Sequence, residues 1–189
     1  MKIHSLIPVA IALVCAVLSA VPVQAQESRR CVISQSGIAP VRPGMTLREA
    51  KQAFPSAEFR RTSDGNGAAL VSVSLGADEW MTLHAGEDDP DRPIDWAQRL
   101  SFIETFHAAC KTVDGVHPGM RVADAEKKFG PTSEIIQSEI EAREYIRFRN
   151  QPAHLLFRLD YTGIFAEGSR STTRFVPGAQ IYSIAVVAK

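Results

Sequence analysis

The chain has no excess charge of either sign: 21 Lys and Arg stand against 21 Asp and Glu. That balance removes the electrostatic reason to expect a polyanion partner such as nucleic acid. Cysteine is scarce, three in all, with no C-x-x-C pair and no His cluster beside any of them, so neither a redox pair nor a zinc ribbon is written here. The histidines beyond the first segment, His84, His107, His117 and His154, are scattered. No H-x-H, H-x-x-x-H or H-E-x-x-H spacing occurs, and zinc ligation has no sequence support. There is no G-x-S-x-G and no Cys set against a His, so no nucleophile and base are nominated. The acidic run Glu87-Asp88-Asp89-Pro90-Asp91 lacks the alternate ligand spacing and the glycine of an EF-hand. It reads as a solvated loop that could meet a basic partner. We expect no metal and no cofactor.

Long apolar runs are also missing, except at the start. MKIHSLIPVAIALVCAVLSAVPVQA has a basic Lys2, an apolar run from Leu6 to Leu18 interrupted by a proline, and small residues closing at Val23-Gln24-Ala25. This is the grammar of a secretory signal peptide. A bilayer span needs about 20 apolar residues, so stable membrane insertion is not expected. Cys15 follows Val14 rather than a small residue, which argues against lipid attachment. The reading is a leader at 1–25, cleavage after Ala25, and a soluble periplasmic chain. Without Lys2 that chain carries 20 basic and 21 acidic side chains. Its two cysteines, Cys31 and Cys110, pair most simply as one disulfide in an oxidising compartment. The long loop between them gives roughly 4 kcal/mol in the chain-entropy account.

What the chain has in abundance is self-similarity. VRPGMTLREAKQAFP at residues 41–55 returns 75 residues later as VHPGMRVADAEKKFG, with six of fifteen positions identical. Pro-Gly marks a turn. Thr46 with Glu49 forms a capping box in the first copy, whereas Arg121 holds the equivalent place in the second. Leu47, Ala50 and Phe54, and then Val122, Ala125 and Phe129, make one short helical stripe each. A two-turn helix is not stable alone and must lie on something. Alternating residues supply it: Val71, Val73 and Leu75, then Met81 and Leu83, then a strand around AQRLSFIETF. In the second copy they are Ile146 and Phe148, then Leu155, Phe157 and Leu159, then AQIYSIAVVA. We expect an α+β fold: two repeated helix–antiparallel-strand units in one continuous sheet with short helices on one face. The units are read as 26–110 and 111–189.

The Pro-Gly-Met, short helix and Phe-Gly-Pro string at 118–120 and 129–131 resembles the G-M-[TS]-x-x-[EQ]-V…G-x-P signature of the BamE/SmpA outer-membrane assembly proteins. The tandem layout resembles that of the β-lactamase inhibitory protein. The resemblance covers nearly the whole mature chain in layout but only about a dozen residues per copy in detail. It implies a helical layer on an antiparallel sheet and a protein that works by binding other proteins. The absence of a lipid-attachment cysteine is a departure from the assembly proteins.

If the apolar alternates face the helices, their neighbours face outward. Those neighbours include Trp80, His84, Tyr145, Arg147, Arg149, Leu156 and Arg158. Trp, Tyr and Arg dominate binding hot spots, and Arg pairs with carboxylates and stacks on rings. The expected function is a monomeric, non-enzymatic protein-binding module of inhibitor or envelope-scaffold type. It would engage a periplasmic or envelope protein through this face and the loops Glu87–Arg92 and Ile164–Phe175. The alternatives are a carrier of a small acidic or amphiphilic ligand held by the arginines with Trp80 and Tyr145, or an enzyme of unrecognised type. An enclosed pocket of a few hundred cubic ångströms at the arginines would favour the carrier.

Overall fold

The computed structural model describes residues 31–139 and 142–188. The expected leader and its cleavage position, residues 1–25, lie outside them. The described chain begins with β1 (Val32–Ser34) and β2 (Gly37–Ile38), a tight hairpin that a later strand, β7 (Lys111–Thr112), joins parallel to β1. The disulfide Cys31–Cys110, with Cα atoms 4.5 Å apart, fastens this junction. Helix α1 (Leu47–Ala53) leads into β3 (Glu58–Ser63), β4 (Ala69–Leu75), β5 (Asp78–His84) and β6 (Phe102–Thr105). Helix α2 (Val122–Phe129) leads into β8 (Thr132–Gln137), β9 (Glu144–Phe148), β10 (Leu155–Leu159), β11 (Ser171–Thr172) and β12 (Ile181–Val187). The second group and β3–β6 share one nine-stranded antiparallel sheet in the order β11-β8-β9-β10-β12-β6-β5-β4-β3. Each half ends in a strand at the centre: β6 lies beside β12, with Ala185 opposite Glu104.

The α+β expectation does not hold. The described residues are mostly β, in sheets of nine and three strands, and the two helices have seven and eight residues. They are plugs rather than a layer. Phe54 meets Trp80 edge-on with ring centres 6.1 Å apart. Phe129 meets Phe148 and Phe157 at 6.1 and 5.6 Å. The physical reason is length: stripes of three apolar residues, stopped by Pro55 and by Gly130 (φ 77°), cover only a small part of a nine-stranded face. Loops and the small sheet cover the rest through Ile33, Ile38, Val41 and Val116, all buried in the same core. Strand β2 lies against both central strands.

The repeated phrase does the same structural job twice. In α1 the Thr46 side chain accepts from the Glu49 amide at 3.1 Å, and the Glu49 carboxylate accepts from the Thr46 amide at 2.7 Å. Arg121, at the start of α2, makes no such cap. Both helix starts are tied to the chain just before the central strand of their own half. The Leu47 amide donates to the Gln98 carbonyl at 2.9 Å, and the Val122 amide to the Ala179 carbonyl at 2.8 Å. Val71, Val73, Met81, Leu83, Ile146, Phe148, Phe157 and Leu159 are all buried in the core beneath.

Candidate functional site

The other face of the sheet is not flat. Arg143 sits immediately before β9, and its guanidinium pairs with the Asp64 carboxylate at 3.0 Å. Asp64 lies in the turn between β3 and β4, five to six strand spacings away, or about 24–29 Å across a flat sheet. The two residues also stand at opposite ends of the strands. Ser63 pairs with Ala69 near the His84 end, and Glu144 pairs with Leu159 at the end where β12 begins. Two side chains cannot span that diagonal, so the sheet itself curls, as strands do when a sheet rolls toward a barrel. Both partners are largely buried, 14% and 9% exposed.

Under this bridge lies a cavity of about 390 Å³. Its lining includes Thr82 and Glu104, which stand opposite each other in register. Ser72, opposite Thr82, and Ser183 on β12 share that face of the sheet without lining the cavity. All four are buried. The Glu104 carboxylate accepts a hydrogen bond from the Ser183 hydroxyl and lies 3.7 Å from the Arg158 guanidinium. The Thr82 hydroxyl donates to Glu79 at 3.2 Å. The Tyr182 ring lies 5.0 Å from the Arg158 guanidinium carbon and meets Phe106 edge-on at 5.3 Å. A buried carboxylate is stable only when paired, and Glu104 is. A polar cavity of this size holds water or a ligand, not a dry core.

His84 lies at the rim, stacked on Phe102. Burial first, and the Arg143 guanidinium second, lower its pKa to about 4, while Asp64 opposes them. The ring is therefore neutral at pH 7. Its Nε2 is buried and has no hydrogen-bond partner.

Beyond Phe106 and Tyr182 a second cleft of about 560 Å³ opens, lined by Asp160, Val176, Pro177 and Gln180. Val176 and Tyr182, which line it, are exposed, and so is Tyr161 next in the chain to Asp160. Among the described residues, no three His, Cys, Asp or Glu side chains gather as metal ligands.

Of the residues expected to form a contact face, only His84 and Arg158 line the cavity. Tyr145 lies opposite Arg158 and Leu156 opposite Ala185, so both share its face without lining it. Arg147 is exposed and 4.0 Å from Glu134; Arg149 is exposed near Gly130. Trp80 is on the wrong side. Met81 pairs with Val73 and Glu79 with Ser74, which leaves Trp80 as the extra residue of a β-bulge. The bulge turns its indole into the core, 4% exposed, between Phe54 and His107. Glu79 takes the cavity side in its place. The two expected contact loops also miss the cavity. Arg61 shares Val71's face, pairs with Glu87 and donates to the carbonyls of Arg92 and Pro93 at 3.1 and 3.0 Å. Phe165 and Phe175 pack on the core.

Sequence reasoning missed Asp64, Glu79, Glu104, Arg143, Tyr182 and Ser183. Glu104 was within reach, because Phe102, Glu104 and Phe106 alternate with the core residue Ile103. Tyr182 was not. It is the extra residue of a second bulge, between Ile181 opposite Leu159 and Ser183 opposite Arg158.

No family model matches the chain, and no curated protein is similar to it. A solved structure, that of the uncharacterized protein YfeY from Escherichia coli, is similar with a TM-score of 0.56 at 15% identity. The match covers 82% of this chain and 99% of that one. At this identity the likeness concerns the fold alone. It does not bear on the resemblance to BamE or to the β-lactamase inhibitory protein.

Proposed function

We propose that this protein is a binding protein that holds a small polar molecule in the cavity beneath the Asp64–Arg143 bridge. The observation that carries the reading is a space of about 390 Å³ lined by the buried Thr82 and Glu104 together with Asp64, Glu79, Arg143 and Arg158. That volume falls within the range of ligand pockets, about 300–1,000 Å³, and a few convergent polar groups are what such pockets use for specificity. The Cys31–Cys110 disulfide supports work in an oxidising compartment, here the periplasm after removal of a leader through Ala25. A chemically mixed fragment library, titrated into isotope-labelled protein and followed by amide NMR shifts, tests the reading. Saturable shifts at Thr82, His84, Glu104 and Ser183 are expected. Hits confined to other surfaces, or no hits, would overturn it.

A second reading keeps the protein-binding module, with an inhibitor or envelope-scaffold role. Exposed Val176 and Tyr182 lining the neighbouring cleft favour it, since exposed apolar and aromatic surface marks contact sites. It moves the contact surface away from Trp80, Arg147 and the Glu87–Arg92 loop.

A further inference from the structure

Resting on the small-ligand reading above, we propose that the cavity takes an uncharged, hydroxyl-rich molecule, a saccharide of one or two rings. The charged lining of the cavity disfavours an ionic ligand. Its two guanidinium groups are each beside a carboxylate, Arg143 with Asp64 and Arg158 with Glu104. Glu79 adds a third carboxylate to the lining. An anionic ligand would meet three carboxylates against two cations, each of which already faces a carboxylate. This weighs against an acidic ligand here, and of the arginines named for one from sequence only Arg158 lines the cavity.

A cationic ligand fits little better. The aromatic face that would receive it, Tyr182, already carries the Arg158 guanidinium. Two of the three carboxylates are engaged by arginines, and Glu79 accepts from Thr82.

What the lining offers is a mixture of fixed donors and fixed acceptors within one small space. Carboxylates only accept, guanidiniums only donate, and the hydroxyls of Thr62 and Thr82 do both. A ligand that complements such a surface needs groups that donate and accept at close spacing, which is what neighbouring hydroxyls provide. Phe106 and Leu70 in the lining supply apolar surface for the C–H face of a sugar ring. The space would hold about a dozen waters at roughly 30 Å³ each. A sugar that replaces their hydrogen bonds group for group loses little polar solvation on binding.

The test is calorimetric titration of the wild-type protein with five probes. Maltose stands for a free sugar, and cellobiose and N,N′-diacetylchitobiose for polymer backbones. Digalacturonate is the anionic probe and glucosamine the cationic one. At least one neutral disaccharide is expected to bind saturably, about tenfold or more tighter than either charged probe, with affinity unchanged between low and high salt. Glu104→Gln is expected to weaken that binding about tenfold. Thr82→Val, which keeps the side-chain shape, provides a second reading if Glu104→Gln folds poorly. Arg147→Ala, outside the cavity, is expected to leave affinity unchanged. A charged probe that wins, or a cavity that accepts non-sugar fragments while refusing all five sugars, overturns the ligand class and leaves the cavity reading standing. Silence from every probe and every fragment removes both.

Discussion

Replacing Trp80 by alanine separates the observed structure from the simplest reading of its strand. Strict alternation puts the indole outside, where truncation would cost little stability and much binding. The bulge puts it inside, 4% exposed, against Phe54 and His107. A tryptophan buries roughly 150–250 Å², which at about 25 cal/mol per Å² gives about 4–6 kcal/mol. This is an upper bound, because the unfolded chain hides part of that surface. Measured truncations of buried Phe and Trp cost about 3–5 kcal/mol, so about 4 kcal/mol is expected. For a chain of this size each kcal/mol moves the midpoint by about 2–4 °C. Trp80→Ala should therefore melt about 8–16 °C below wild type by circular dichroism. Arg147→Ala, on an exposed side chain, should stay within about 0.5 kcal/mol. At a temperature where Trp80→Ala is still folded, its ligand affinity should match wild type. A melting shift of less than about 3 °C, or affinity lost from a folded variant, would show that the indole faces the cavity side and that the strand register is wrong.

Three further outcomes follow from other parts of the structure. Cys31→Ser with Cys110→Ser opens a bridge of sequence separation 79 and should cost about 4 kcal/mol in urea unfolding; an unchanged midpoint would mean the disulfide does not restrain the unfolded chain. The folded state holds His84 at about 4 against an ordinary 6.5, so between those values the unfolded chain binds more protons. This contribution to stability is present above about pH 6.5 and is lost as pH falls toward 4. His84→Phe should flatten the urea midpoint between pH 7 and pH 5, and an unaltered slope would contradict the buried neutral ring. Thr46→Ala should cost about 1 kcal/mol, whereas Arg121→Ala, at a helix start without a side-chain cap, should be nearly neutral; equal costs would refute the asymmetry of the two caps.

Local chemistry was legible in the sequence, and long-range geometry was not. Thr46 and Glu49 announce a capping box because both partners lie within one turn. Val71 and Val73 announce a buried strand face because side chains alternate with period two. The two cysteines announce each other by number and compartment. The bulges at Trp80 and Tyr182 break that period without a residue that marks them, so one aromatic was assigned outside when it is inside, and the other was overlooked. The Asp64–Arg143 pair joins residues 79 apart in the chain. It depends on how far nine strands coil, which no local pattern encodes. The helical layer was overestimated for a related reason: periodicity reports that a stripe exists, not how much of a sheet it can cover.

The position of β12 has a consequence for how the molecule is made. It follows every other strand of the sheet in the chain, yet it sits in the middle, hydrogen-bonded to β10 on one side and β6 on the other. A chain that emerges N-terminus first into the compartment where it folds therefore presents two half-sheets with bare inner edges before the strand that joins them. Until residues 181–187 emerge, neither half can find the other by β-pairing, and β6 and β10 are open to neighbouring chains. A chain truncated just before Ile181 should be the most aggregation-prone length of this protein.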